Sequence, residues 1–301
     1  MPETMRPVGA LPPASVLVTG AAGHLGREIV VRLRARGVRV RGLVRREPGA
    51  APPLGVAWAV GDLTDRAAVR AALAGVDAVL LIWPLPETGE PADALVAELA
   101  AFAPRVVQVS STAVDDTALR QSDPIVQVHA DMETLLREAG VRPVVLRSDT
   151  LASNALGWAG QLRAGDVVAG PETARTAVVD ERDVADAAVS ALLAEDGRLT
   201  CGPHLLTGPQ VLERADQVAL LGTALGRRLR FEPVPAELAA ARMRADGRPE
   251  RLVSALVEAA LGRRGSDLVT DHVRRLVGRP AGGFGAWALD HAACFPPVRR
   301  G

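Results

Sequence analysis

At 301 residues, 48% of them hydrophobic and 23% charged, the chain has a globular balance and can bury a full core as one large domain or two smaller ones. Its 35 acidic and 35 basic residues cancel, which leaves no clustered positive charge to hold nucleic acid or an anionic membrane. Tyrosine is absent and every basic residue is arginine, so any mechanism that needs a tyrosine acid or a lysine amine is excluded.

Residues 1–13, with Pro2, Pro7, Pro12 and Pro13, lack the design of a signal peptide and read as a flexible tail. No apolar run approaches the roughly 20 residues that span a bilayer. Residues 15–19 (SVLVT) form a short buried strand that ends in glycine. Leu25, Ile29 and Leu33 then recur every four residues on one helix face, and Gly37 ends that helix. Strands follow at 38–44, 56–60, 78–82, 106–109 and 144–146, separated by helices near 65–73, 92–102 and 125–139. Six strands alternating with helices imply an α/β fold with a doubly wound parallel sheet. After Arg147 the rhythm breaks. A late strand is expected at 204–207, and helices near 211–225, 236–244, 251–261 and 268–276. The expected division is a nucleotide-binding domain over 14–150, with 176–208 packing back on it. A smaller, mainly helical lobe over 151–175 and 209–301 shapes the substrate pocket. Arg227-Arg228 and Arg263-Arg264 read as solvated helix ends. Cys201 and Cys294 lack CxxC spacing, which implies no metal site and no disulfide framework and fits a cytoplasmic protein.

Between the first strand and helix lies Thr19-Gly20-Ala21-Ala22-Gly23-His24-Leu25-Gly26. Gly20 permits the tight turn, Gly23 lets backbone N–H groups approach a phosphate, and Gly26 lets the helix pack close to the strand. This is the Rossmann pattern of a nicotinamide cofactor site, in which Ala22, His24 and Leu25 complete the loop. The second strand ends in Arg45-Arg46, where an acid would favour NAD(H); guanidinium groups there suit the 2′-phosphate of NADP(H). The alternative is ordinary surface charge. Asp62 and Leu63, after the third strand, are placed near the adenine, with a turn or helix start as the alternative for Asp62. Ile82, Trp83 and Pro84 end the fourth strand beside the nicotinamide, although an aromatic there is more often packing. Ser110, Ser111 and Thr112 end the fifth strand, where open α/β sheets carry their chemistry; the alternative is turn capping. Ser111 is the candidate for polarising a substrate carbonyl, Ser110 for the cofactor, and Thr112 and Asn154 for the substrate, with loop capping as the alternative for Asn154. His129 and Glu133 share a helix face, so the carboxylate is expected to keep the imidazole protonated. His129 would then hydrogen-bond the nicotinamide ribose or deliver a proton, unless the pair is purely structural.

The glycine loop, Gly61-Asp62-Leu63 and Val109-Ser110-Ser111 together resemble the extended short-chain dehydrogenase/reductases. Later segments resemble their atypical, NmrA-like branch. These include His129-Ala130-Asp131-Met132-Glu133, Val145-Leu146-Arg147, Asp183-Val184-Ala185-Asp186, Leu206-Thr207-Gly208-Pro209 and Gly278-Arg279-Pro280. The family's usual Tyr and Lys would fall at Ile125 and His129, so that dyad is absent. The branch contains NADPH-dependent quinone and isoflavone-type reductases and also redox sensors. Hydride transfer to a quinone or enone leaves a stabilised anion that water protonates, and this suits a site without Tyr or Lys. The expectation is an NADPH-dependent oxidoreductase, a monomer or homodimer, acting on a hydrophobic conjugated carbonyl, quinone or imine. Its Arg- and Ala-rich composition is associated with bacterial secondary metabolism. The alternatives are an NADP(H) sensor that acts through a protein partner, and a redox-neutral epimerase that uses bound nicotinamide.

Overall fold

The computed structural model describes residues 13–47, 55–102, 105–194, 199, 202–245 and 247–295, so the expected tail, save Pro13, and Cys201 lie outside the described residues. Short runs rich in Val and Leu form β1 (Ser15–Val18), β2 (Arg39–Val44), β3 (Val56–Val60), β4 (Ala78–Leu81), β5 (Arg105–Ser111) and β6 (Val144–Ser148). Between them run α1 (His24–Ala35), α2 (Arg66–Leu73), α3 (Gly89–Phe102) and α4 (Pro124–Glu138). Past β6 come a 3-10 helix (Ala152–Trp158), α5 (Ala159–Ala164), β7 (Val167–Gly170), α6 (Glu181–Leu193) and β8 (His204–Leu206). The remaining elements are α7 (Arg214–Leu225), β9 (Arg230–Pro233), α8 (Ala236–Ala245), α9 (Glu250–Gly262), α10 (His272–Val277) and α11 (Phe284–Asp290).

Seven parallel strands order as β3-β2-β1-β4-β5-β6-β8. The expected doubly wound sheet is therefore present, with a seventh strand. Strand order reverses between β1 and β4, and ligands of such sheets bind beyond the carboxyl ends of the strands at that point. One face is covered by α1 and α6, where Ile29, Leu33, Val184, Ala188 and Leu192 are buried. The other face carries α2, α3 and α4 over Leu17, Leu81, Leu99, Met132 and Leu136. A third cluster joins α7, α11 and the 3-10 segment around Trp287, Phe284, Val218, Leu221 and Leu162. Trp287 ties it to the sheet: its indole N–H donates to the buried Glu181 carboxylate at 2.9 Å.

Several elements differ from the sequence expectation. The helix expected at 211–225 begins only at Arg214, behind a capping box of Glu213 and Asp216. The helix expected at 268–276 is a single short one, because Thr270 is engaged with β8: its N–H donates to Thr207 Oγ1 at 2.9 Å. The parallel pair β7–β9 was not anticipated. Its strands are four residues long and β9 is largely exposed, so neither carries a run of buried apolar residues.

Candidate functional site

Gly20 has φ +64°, and a Cβ there would lie 3.3 Å from Ile82 Cβ. The turn is thus pressed against the end of β4. Thr19 fixes that contact, since its Oγ1 accepts from Ile82 N–H at 2.7 Å. A Cβ on Gly26 would fall 2.1 Å from the Gly20 carbonyl oxygen, so only glycine lets α1 approach β1 this closely. Ala22, Gly23 and His24 are exposed, whereas Leu25 is buried under the helix. Helices α2, α4 and α6 open on Asp65, Asp123 and Asp180, whose carboxylates accept first-turn N–H groups. Helix α1 instead opens on Gly23, with no side-chain cap and no acid in its first turn. Its amides and positive dipole end remain open to an anion, which fits a dinucleotide pyrophosphate.

Arg45 and Arg46 are exposed just past β2 and make no ion pair among the described residues. Beside them, Gly61 N–H donates to Val44 O at 2.9 Å, which holds the following Asp62 next to that edge. Asp62 Oδ1 accepts from Thr64 N–H and Oγ1 at 2.9 Å each, a local turn. Leu63 and Trp83 are buried in the core beneath α2 and α3, and the Trp83 indole donates to Glu87 O at 3.0 Å. Trp83 is thus a packing residue, while Pro84 beside it is exposed.

Beyond the carboxyl ends of β5 and β6 lies a cavity of about 290 Å³. Ser111 and Thr112 line it from β5, and Asp149 and Thr150 from β6. Ser111 Oγ accepts from Ala113 N–H at 3.2 Å, and its own proton has no hydrogen-bond acceptor among the described residues. The opposite wall comes from the turn before α4 and the segment after α9, including Arg120, Arg263 and Arg264. Apolar side chains there are few: Ala113, Ala118 and Val126. Arg263 is not a solvated helix end as expected, because its Nε donates to buried Asp123 Oδ2 at 2.9 Å. Nor is Arg227, which binds Asp166 and the carbonyls of Leu162 and Gly165. Asn154 is exposed on the 3-10 segment and lines neither this cavity nor a neighbouring one of about 320 Å³.

The expected His129–Glu133 charge pair is corrected by the structure. Glu133 accepts from Ser110 Oγ and, at 3.0 and 2.7 Å, from Arg147 Nε and Nη2. Arg147 is buried and also grips Asp116. Burial pushes the His129 imidazole down to about 4 despite the attraction of Glu133, with Arg263 lowering it further. It is therefore neutral at neutral pH rather than protonated. Ser110 directs its hydroxyl into this network, away from the role expected for it at the cofactor. Sequence reasoning missed Arg120, Arg264, Asp149 and Thr150. Only the pair of β-strand ends at Ser111 and Ser148 could have signalled them.

A family model described as NAD(P)H-binding matches residues 20–195. A (4-alkanoyl-5-oxo-2,5-dihydrofuran-3-yl)methyl phosphate reductase of Streptomyces griseus is 38% identical over 289 residues, covering 94% of this chain and 99% of its own. An NAD(P)H azoreductase of Xenophilus azovorans is 31% identical over 291 residues, covering 93% and 99%. Among solved structures, an NADPH-dependent quinone oxidoreductase from Escherichia coli superposes with a TM-score of 0.71 at 22% identity, covering 91% of this chain and 98% of its own. That likeness shows a shared fold.

Proposed function

Since the chain belongs to the NAD(P)H-binding family and is an NAD(P)H-dependent oxidoreductase, we propose that it reduces a conjugated acceptor, an enone, quinone or imine, with NADPH. The observation that carries this reading is the lack of a strong proton donor at the cavity. The sequence has no Tyr or Lys, and burial holds the His129 imidazole neutral. A conjugated acceptor needs no such donor, because its reduced anion is delocalised and takes a proton from water. A simple ketone would become an alkoxide and needs an acid in the transition state.

The residues divide the work as follows. Gly20, Gly23 and Gly26, with the open amides of α1, hold the pyrophosphate, and Arg45 and Arg46 receive the 2′-phosphate. Asp62 would border the adenine, with buried Leu63 supporting that edge from the core, and Ile82, with Pro84, would border the nicotinamide. Bound NADPH supplies the hydride. The Ser111 hydroxyl donates a hydrogen bond to the acceptor and keeps its proton, the reduced anion being protonated by water, and Thr112 lines the same wall. His129, as a neutral imidazole, positions rather than protonates. The named relatives support this chemistry, since an azo bond and an alkanoyl-substituted oxodihydrofuran are both conjugated acceptors. The substrate named for the Streptomyces relative also carries a phosphate.

The test is acceptor-dependent NADPH oxidation across quinones, enones, imines and unactivated ketones. The expected outcome is consumption with the first three classes and none with the ketones. If no acceptor in the panel accelerates NADPH loss, the reading fails. Tight NADPH binding without turnover would then favour a sensor, and product formation with the cofactor unchanged an epimerase.

A further inference from the structure

Hydride transfer leaves the guanidinium groups of the 290 Å³ cavity unexplained. Arg263 is occupied: it holds Asp123, whose other oxygen accepts from Ile125 and Val126 N–H at the start of α4. Arg120 and Arg264 are different. Both are exposed, both line this cavity, and neither makes a hydrogen bond or ion pair among the described residues. They come from segments far apart in sequence, the turn before α4 and the run after α9.

The wall that presents them is firmly seated. Ser122 Oγ donates to Gly262 O at 3.1 Å, and a Cβ on Gly262 would lie 2.6 Å from Ser122 O. Beyond Arg264, Ser266 N–H donates to Arg175 O at 3.0 Å. The carboxylates that line the cavity, Asp115, Asp123 and Asp149, accept local hydrogen bonds, and none forms an ion pair with Arg120 or Arg264 among the described residues, although the charge of Arg264 does favour the Asp115 carboxylate. Asp149 accepts from Thr150 and Ala177 N–H, and Asp123 has both oxygens filled. Asp115 Oδ1 takes the N–H and hydroxyl of Thr117. Those hydrogen bonds, helped by the charge of Arg264, hold the Asp115 carboxyl below the usual range.

We propose that Arg120 and Arg264 form a subsite for a phosphate monoester carried by the reducible substrate. Two guanidinium forks that line one cavity from separate segments present more donors than a carboxylate can accept, and they suit the three terminal oxygens of a phosphate monoester. The cavity volume, near the small end of ligand clefts, suits a compact ring with one such group. The ring then lies toward Ser111 and Thr112, and the phosphate toward the arginines. This assignment rests on the reductase reading for which end of the substrate is reduced, but not for the binding of the phosphate itself.

The experiment is calorimetric titration of the NADP⁺-saturated protein, whose own nucleotide phosphates are already seated, at fixed ionic strength. Phenyl phosphate is the probe, with phenol and benzoate as comparisons. Expected is saturable binding of phenyl phosphate, at least about 10-fold tighter than benzoate, and none of phenol. The Arg120→Ala/Arg264→Ala double variant should weaken phenyl phosphate by about 100-fold, the loss of two charge-assisted contacts. The Arg120→Lys/Arg264→Lys variant should fall between the two. Both positions are exposed, so the variants are expected to fold. Equal affinity in wild type and double variant, equal affinity for benzoate, or no binding of phenyl phosphate overturns the subsite. If phenyl phosphate binds as expected but no acceptor is reduced, the subsite stands and the reductase reading falls. If neutral acceptors are reduced and phenyl phosphate does not bind, the reverse holds.

Discussion

His129 shows how a correct spacing can give a wrong charge state. The four-residue interval to Glu133 does place both on one face of α4, and Glu133 does raise the imidazole's affinity for protons. What the sequence does not display is the competitor. Arg147, on the neighbouring strand end, takes both Glu133 oxygens, and Arg263 adds a positive charge from the far end of α9. Burial then decides, and the imidazole falls from 6.5 to about 4. Between those values the unfolded chain binds a proton that the folded protein refuses, so stability is complete above about 6.5 and declines as the pH drops toward about 4. For a half-buried ring the loss should be on the order of 2 kcal/mol. His129→Gln keeps polarity without titrating and should flatten this part of the Tm-against-pH curve. An unchanged slope would mean that His129 is not the group responsible. The charged groups that face the ring are Glu133 and Asp123, which accept from Arg147 and Arg263.

At the level of elements, legibility followed locality. The β1–turn–α1 unit was readable because its pattern lies within 21 residues, from Ser15 to Ala35, and two of its loop glycines, Gly23 and Gly26, answer contacts inside the unit, while Gly20 meets Ile82 at the end of β4. The β7–β9 pair was not, since its strands lie far apart in sequence and β9 buries little. The two loop glycines give this contrast a test. In Gly26→Ala the new Cβ meets backbone, 2.1 Å from Gly20 O and 2.8 Å from Ala21 Cα, so α1 must back away from β1. That should cost about 1–3 kcal/mol in stability and reduce NADPH affinity together. In Gly23→Ala the nearest atom is Gly20 O at 3.3 Å and the position is exposed, so Tm should barely move. Its NADPH affinity should still drop, by about 10-fold, if the bare backbone at Gly23 receives the phosphate. Thermal melts beside fluorescence titrations read the two quantities separately. A Gly23→Ala protein that binds NADPH as wild type would remove that position from the cofactor site.

Across the whole molecule, the nucleotide and substrate ends were unequally visible. The Rossmann half repeats one local rhythm, so its doubly wound parallel sheet and its glycine loop could be anticipated from patterning, whereas the strand order came from the structure. The cavity beyond β5 and β6 is assembled by long-range pairs such as Arg263–Asp123 and Ser122–Gly262, each 140 residues apart, and a side chain's sequence does not say what lies opposite. Cofactor choice lies between these cases: Arg45 and Arg46 were visible, and the structure leaves both exposed and without an ion pair among the described residues. A nucleotide that binds only the folded state adds to global stability in proportion to the logarithm of its concentration over its Kd, about 2.7 kcal/mol at 100 times Kd. NADP⁺ should therefore raise Tm well above the value with an equal concentration of NAD⁺. The Arg45→Ala/Arg46→Ala variant should lose most of that difference while keeping the smaller NAD⁺ shift, because the pyrophosphate contacts at α1 are untouched. Equal shifts with both nucleotides in the wild type would show that the two arginines are surface charge alone, and that the fold binds either cofactor through its glycine loop.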